Sequence, residues 1–216
     1  LRRHKEFDMG KQLGFYVDLG KCTGCKACQI ACKDNSNLPL GVNYRRVVQY
    51  TGGDWVQDGD LYIPAGVYTY YVSVACMHCA NPLCVEGCPT GAMYKREEDG
   101  VVLIDPSKCV GCRYCEWACP YGAPQFDAEA GIMTKCDFCV DEQAAGEKPV
   151  CVAGCPFRAL DYGDIDELRA KYGDFADPAP LPDPSITRPS VVFSPHKNTR
   201  TSKAADGQVM NVEEAI

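Results

Sequence analysis

Apolar and β-branched runs broken by polar residues mark short strands in this chain. Phe15–Asp18 and Val101–Asp105 read as strands, and Tyr68–Ala75 is a longer aromatic and β-branched one. Each leads into a group of cysteines. Within each group a three-residue gap precedes the last cysteine, which fits one helical turn because residues four apart share a helix face. Proline follows the last cysteine in three groups and limits that helix. Gly52-Gly53-Asp54 reads as a turn inside the long segment 33–75. Asp164–Tyr172 is predicted as a capped helix, with Asp164 at the N-cap, Glu167 three residues on and Gly173 just past the end. From Asp177 the chain is rich in proline (Pro178, Pro180, Pro182, Pro184, Pro189, Pro195), so this segment is expected to lack a core of its own and to be either disordered or laid along a partner.

The pattern predicts an α+β fold of short strands and helices organised around a fourfold repeat. Group one is Cys22, Cys25, Cys28 and Cys32; group two is Cys76, Cys79, Cys84 and Cys88. Group three is Cys109, Cys112, Cys115 and Cys119; group four is Cys136, Cys139, Cys151 and Cys155. The flanks repeat as well. Val17-Asp18-Leu19-Gly20-Lys21 leads into Cys22 as Ile104-Asp105-Pro106-Ser107-Lys108 leads into Cys109. Cys88-Pro89-Thr90-Gly91-Ala92 matches Cys119-Pro120-Tyr121-Gly122-Ala123, and Cys155-Pro156-Phe157-Arg158-Ala159 follows the same scheme; group one departs from it with Lys33.

Composition sharpens this picture. Sixteen cysteines in 216 residues point to a disulfide or metal scaffold. The formal charge of -7 makes nucleic acid a poor partner. No run of 18 apolar residues reads as a membrane span, and the charged segment Leu1–Asp8 lacks the apolar stretch of a secretory signal.

Spacing decides the chemistry. Groups one and three follow C-x2-C-x2-C-x3-C, in which three thiolates wrap one iron–sulfur cubane and the fourth reaches a second. Group two dilates one gap to four residues, and group four loops out Val140–Val150. Gly24 and Gly111 inside the first gaps, and Gly87 and Gly154 before the fourth cysteines, suit close backbone approach to anionic sulfur. Disulfides would be strained at this spacing. Structural zinc prefers separated C-x2-C pairs. Sixteen ligands match four [4Fe–4S] clusters with none to spare. Groups two and three, close in sequence, read as one ferredoxin pair with groups one and four around it; the sequence alone also allows pairing one with two and three with four.

Three motifs go further: Cys22-Thr23-Gly24-Cys25-Lys26-Ala27-Cys28; Tyr44-Arg45-Arg46 with Gly52-Gly53-Asp54-Trp55; and Gly111 to Pro124 with Ala159 to Leu168. From about Gly14 to Pro195 the chain resembles the four-cluster B subunits of molybdopterin oxidoreductases, dimethyl sulfoxide reductase foremost. The resemblance implies two nested bacterial-ferredoxin-like modules, 14–32 with 132–163 outside and 76–131 inside, an insert at 33–75, and a helix with an extended partner-binding tail at 164–216. It implies four ligand sets: Cys22, Cys25, Cys28 and Cys155; Cys32, Cys136, Cys139 and Cys151; Cys76, Cys79, Cys84 and Cys119; Cys88, Cys109, Cys112 and Cys115. Cysteine at 112, where nitrate reductase relatives carry tryptophan and a [3Fe–4S] cluster, implies a fourth [4Fe–4S].

The implied role is a non-catalytic electron conduit with no small-molecule substrate of its own. It would link a molybdopterin catalytic subunit, nearest the first cluster, to a membrane quinol-oxidising subunit, nearest the fourth. That holds it at the cytoplasmic membrane through its partners, on either the periplasmic or the cytoplasmic face. The alternatives are the B subunit of a related molybdopterin oxidoreductase (polysulfide, tetrathionate or a dehydrogenase) and a free soluble polyferredoxin, with a zinc-stapled interaction module as a further one. His78 is expected to lie behind the ligands or at the surface. Trp55 and Trp117 are expected in core or interface packing. Lys21, Lys26, Lys108, Arg113 and Lys135 either offset cluster charge or are ordinary solvated charge.

Overall fold

The computed structural model describes residues 11–215, so Leu1–Asp8 lies outside the described residues. The chain opens with strand β1 (Leu13–Asp18) and helix α1 (Ala27–Asn35), then crosses a long hairpin of β2 (Arg46–Asp58) and β3 (Leu61–Val74). Short elements follow: α2 (Leu83–Glu86), β4 (Met93–Lys95), β5 (Val102–Ile104), α3 (Tyr114–Ala118), β6 (Gln125–Asp127), β7 (Ile132–Thr134), α4 (Val140–Ala144) and α5 (Val150–Ala153). The last part holds β8 (Leu160–Asp164), α6 (Ile165–Tyr172), β9 (Val191–Ser194), β10 (Gln208–Val209) and α7 (Val212–Ala215). The fold is α+β and ferredoxin-like, with small sheets and short helices around cysteine-bearing loops.

β1 is apolar on both faces because it is the centre of a sheet. β8 pairs with it antiparallel, Leu13 opposite Asp164, and β9 pairs parallel on the other side, Phe15 opposite Val191. The short hairpins β4–β5 and β6–β7 precede cysteine groups three and four. Helix α1 packs on α5, and α2 on α3. Groups one and four therefore share one helix pair, and groups two and three the other. Gly154 lets the first pair close: a Cβ there would lie 3.0 Å from the Ala31 Cβ. At Gly87 the corresponding distance, to the Ala118 Cβ, is 3.6 Å.

Two expectations are corrected. Gly52-Gly53-Asp54 is not a turn. It faces a bulge in the β2–β3 pairing, which slips from Gly52–Tyr68 to Asp54–Ala65 so that Gly66 and Val67 of β3 oppose Gly53 alone; Gly53 has φ 124°, and a Cβ there would meet the Val67 Cα at 2.6 Å. The hairpin reverses instead at Gly59-Asp60, with Gly59 at φ 61°. The proline-rich tail is not bare either; it is laid along the protein's own body. Ala179, Leu181, Val191, Val192 and Phe193 are buried, and the Tyr70 hydroxyl donates to the Ala179 carbonyl at 2.8 Å. The apolar run Val191-Val192-Phe193 supplies the driving force, since β1 offers it both an unpaired edge and an apolar face. Further on, β10 extends the β2–β3 sheet and Asn211 bonds both the Val47 carbonyl and the Gln49 N–H.

The helix predicted from Asp164 forms as Ile165–Tyr172, with the Asp164 carboxylate accepting from the Asp166 and Glu167 N–H groups and Gly173 at φ 90° past its end. The predicted strands form with shifted ends: β1 begins at Leu13, Val102–Ile104 is shorter than expected, and the Tyr68–Ala75 strand starts earlier, at Leu61. Among the described residues no helix is long and apolar enough to cross a membrane.

Candidate iron–sulfur site

The four cysteine loops share one backbone device. In each, the residue before the second cysteine is left-handed: Gly24 (φ 72°), His78 (φ 41°), Gly111 (φ 65°) and Phe138 (φ 68°). Glycine is required twice. A Cβ at Gly24 would lie 2.4 Å from the Tyr71 ring, and one at Gly111 2.4 Å from the Gly131 carbonyl oxygen. The other two loops force bulky residues into the same conformation, which packing must hold. His78 and Phe138 are both buried and meet edge to face, ring centroids 5.1 Å apart. Gly87 and Gly154 play a different part from that expected: both have helical φ, and they serve helix approach rather than left-handed geometry.

This backbone turns amides toward sulfur. The N–H groups of Met93, Met133, Phe138 and Ala159 donate to the sulfurs of Cys88, Cys109, Cys136 and Cys155 at 3.3–3.4 Å. Such donors suit anionic sulfur and are one of the levers on cluster potential.

None of the sixteen cysteines forms a disulfide. Their electrostatic neighbours gather them. Cys22 feels Cys28, Cys155 and Cys25. Cys136 feels Cys32 and Cys151, and Cys139 feels Cys151. Cys84 feels Cys76, Cys119 and Cys79, while Cys115 feels Cys88 and Cys109. Cys136 also feels Cys76, across the boundary between helix pairs. Cys25 and Cys112 are exposed; Cys32, Cys136, Cys139 and Cys151 are all buried. Among the described residues no three His, Cys, Asp or Glu side chains close to the spacing of a single-ion site. A cubane does not ask this of them, because its four irons are held one thiolate each.

Burial pushes most of these thiols up, to about 11 at Cys22, Cys32 and Cys115 and to about 12 at Cys79 and Cys139, with neighbouring thiols adding to the effect. Cys88 goes the other way: burial raises it, but hydrogen bonds from the Met93 N–H and from Thr90 outweigh that. Iron must therefore displace protons from most of the set.

The cations divide in two. Lys21, Lys108 and Arg113 pair with Asp18 (3.1 Å), Asp105 (2.8 Å) and Glu116 (2.7 Å), and Lys26 pairs with Glu214. These are surface pairs with their charge already matched. Lys135 is buried and donates to the carbonyls of Val102 and Cys136. Lys95 donates to the Cys79 carbonyl at 2.7 Å, and burial lowers it to about 8.

Sequence reasoning places Arg45 only within a motif and misses its surroundings. It is 2 % exposed, and its Nη1 donates to the Ser73 hydroxyl at 3.1 Å. Burial works against its charge, but the thiols of Cys151, Cys28, Cys136 and Cys32 win and hold its pKa above the ordinary arginine value. The available signal is an Arg-Arg pair running straight into the β-branched Val47-Val48 of an acidic, cysteine-rich chain.

His78 lies behind the ligands, 1 % exposed, with Nδ1 accepting from the Val102 N–H at 3.0 Å. Burial, with Lys135, Lys95 and Arg45 nearby, drives its pKa well below the ordinary histidine value, so the ring is neutral. Trp55 and Trp117 are 66 % and 74 % exposed. Core packing is thereby excluded for both.

Comparison with known proteins agrees with this geometry. Residues 67–165 match the family described as a 4Fe-4S dicluster domain, and residues 19–41 a 4Fe-4S binding domain. The chain is 50% identical over 206 residues to the B subunit of the anaerobic dimethyl sulfoxide reductase of Escherichia coli strain K12, covering 95% of this chain and 100% of that protein. It is 41% identical over 151 residues to the thiosulfate reductase electron transfer subunit of Salmonella typhi, covering 69% of this chain and 74% of that one. It is 37% identical over 177 residues to the B subunit of the sulfite dehydrogenase of Allochromatium vinosum, covering 72% and 70%.

Proposed function

The protein belongs to the family of anaerobic dimethyl sulfoxide reductase B subunits, iron–sulfur electron-transfer proteins, and from that premise we propose that it wires a membrane quinol-oxidising subunit to a molybdopterin catalytic subunit through four [4Fe–4S] clusters in series. Cys22, Cys25, Cys28 and Cys155 hold the first; Cys32, Cys136, Cys139 and Cys151 the second; Cys76, Cys79, Cys84 and Cys119 the third; Cys88, Cys109, Cys112 and Cys115 the fourth. The clusters supply one-electron chemistry when bound; the polypeptide supplies position, electrostatics and exclusion of water.

The observation that carries this reading is serial connection. Helix α1 bears Cys28 and Cys32, one from each of the first two sets, and α5 with its following turn bears Cys151 and Cys155. Cys136 and Cys76 are electrostatic neighbours and join the second set to the third. Cys84 on α2 with Cys88 beyond it, and Cys115 on α3 with Cys119 beyond it, join the third to the fourth. The exposed members, Cys25 and Cys112, belong to the first and last sets, where electrons would enter and leave.

In this reading 14–32 with 132–163 form the outer module, 76–131 the inner module and 33–75 the insert. The insert favours a complex over a free polyferredoxin. Its hairpin exposes Trp55, Val56, Leu61, Tyr62, Ile63 and Val67, an apolar surface suited to a partner protein. The protein takes no substrate itself and stands at the cytoplasmic membrane by way of its anchor partner. The acceptor, dimethyl sulfoxide or a related S- or N-oxide, is chosen by the catalytic partner; the 50% match along nearly the whole chain favours this over the acceptors of more distant relatives.

Native purification followed by redox titration with paramagnetic resonance tests the proposal. Four cubane signals in a sample that carries a molybdopterin protein are expected. A lone monomer with intact clusters would point to the polyferredoxin, and a colourless, iron-free sample would remove the electron-transfer role altogether.

A further inference from the structure

The buried and half-buried cations near the cysteines are not equivalent. Lys135 and Lys95 spend their donors on carbonyl oxygens. The surface cations are matched by carboxylates. Arg45 is different. Its Nη1 donates to the Ser73 hydroxyl at 3.1 Å, while its Nε and Nη2 are buried with no hydrogen-bond partner. Among the described residues no carboxylate forms an ion pair with it, and its guanidinium lies 4.6 Å from the centroid of the Phe15 ring. A guanidinium withdrawn from water without an anion is strongly disfavoured. The anionic partners within its electrostatic reach are the sulfurs of Cys151, Cys28, Cys136 and Cys32.

These sulfurs come from two sets. The Ser73 hydroxyl that receives the Arg45 bond also lies 3.5 Å from the Cys28 sulfur, and Cys32, one turn further along α1, is among the thiols that act on the Arg45 charge. One residue thus addresses two cysteines a single helical turn apart on α1, one from the first set and one from the second. A guanidinium can do this because its five donors fan out in a plane, whereas an ammonium is a point charge.

We propose that Arg45 is the shared counter-ion of the first and second clusters, a fixed buried charge that raises both of their reduction potentials. The inference rests on the cysteine assignment proposed above. Each cluster becomes more negative on reduction, so a cation held between two of them favours the reduced form of both. Burial keeps water and salt from screening it. Its second effect is on loading: with clusters in place the guanidinium gains the anions that the polypeptide alone does not provide.

The test is a redox titration followed by paramagnetic resonance on the loaded complex, with iron and sulfide counted in the same samples. Cys28→Ser and Cys151→Ser identify the signals of the first and second clusters. Arg45→Gln is expected to lower the reduced-to-oxidised ratio of those two signals about tenfold at fixed potential, equivalent to about 59 mV for a one-electron carrier, and to leave the other two in place. Arg45→Lys, which keeps the charge, should move them less. Four counted cubanes with unmoved potentials in Arg45→Gln would overturn the role of Arg45 alone. Fewer than four cubanes in the unsubstituted complex would overturn the assignment, and the proposal with it. If Arg45→Gln fails to load, Arg45→Lys decides: full loading supports the counter-ion, and failure of both overturns it in favour of packing.

Discussion

The second and fourth of the proposed cysteine sets would meet the same demand, a cage of anionic sulfur, in opposite surroundings. In the second set every cysteine is buried, Cys136 stands well above the ordinary thiol range through burial and neighbouring thiols, and the charge that answers them is Arg45. In the fourth set Cys112 is exposed, and Cys88 and Cys109 are half-buried and receive amide hydrogen bonds from Met93 and Met133. The cations near it, Lys108 and Arg113, are already paired with Asp105 and Glu116. Sulfur at the surface can be served by water and backbone dipoles. Sulfur in the interior needs a permanent charge, and that charge in turn needs the sulfur.

This difference can be broken experimentally, most severely by removing iron. Chelation under reducing conditions should leave Arg45 unanswered at a cost of several kcal/mol. Amide exchange should then rise first in Ala27–Asn35 and Val150–Ala153, before Leu83–Glu86 and Tyr114–Ala118. Equal, simultaneous loss in both helix pairs would show that the two centres do not differ in this way.

Side-chain truncation comes next. Phe138, fully buried between Phe15 and His78, should cost about 3–5 kcal/mol as Phe138→Ala, measured by denaturant unfolding of the loaded protein. Trp117→Ala, beside the fourth set and exposed, should change stability by less than about 0.5 kcal/mol and instead weaken retention of partner proteins on a sizing column. A smaller contrast lies in the helix pairs. Gly154→Ala must push Ala31 or the Val150 carbonyl aside and should cost about 1–3 kcal/mol, with Gly87→Ala costing less, as read from unfolding midpoints.

The smallest effect is electrostatic. Hydrogen bonds from Lys108 and Ser107 hold Asp105 down at about 2. A depressed carboxylate lends its stability above the unfolded value, 3.8. That contribution is lost as pH falls from there through about 2. Carbon-detected titration of the Asp105 carboxyl should find its midpoint below 3.8; Lys108→Met should bring it back up.

Much of this is legible in the sequence. The cysteine spacing, the repeated Asp-x-x-Lys-Cys flank and the Asp164 cap each act through near neighbours, and each appears where the residues place it. Gly52-Gly53-Asp54 misleads because a bulge and a turn use the same residues; only the partner strand tells them apart. The tail misleads because its prolines are conspicuous and Val191-Val192-Phe193 finds its sheet partner 176 residues away, as Phe15 opposite Val191 shows. Arg45 stays hidden for a related reason. Its neighbours come from several cysteine groups and from Ser73, and no local pattern announces a contact assembled from so many parts of the sequence.

The embrace of β1 by β8 and β9 has a consequence for biosynthesis. A ribosome releases the polypeptide from its amino end, so the first strand waits for Leu160–Asp164 and Val191–Ser194 before its sheet is whole. In the proposed assignment the inner cysteines are complete once Cys119 has emerged, whereas the outer ones wait for Cys155. On that assignment the inner module can be filled before the outer one, and β9 is the strand that completes the first sheet last.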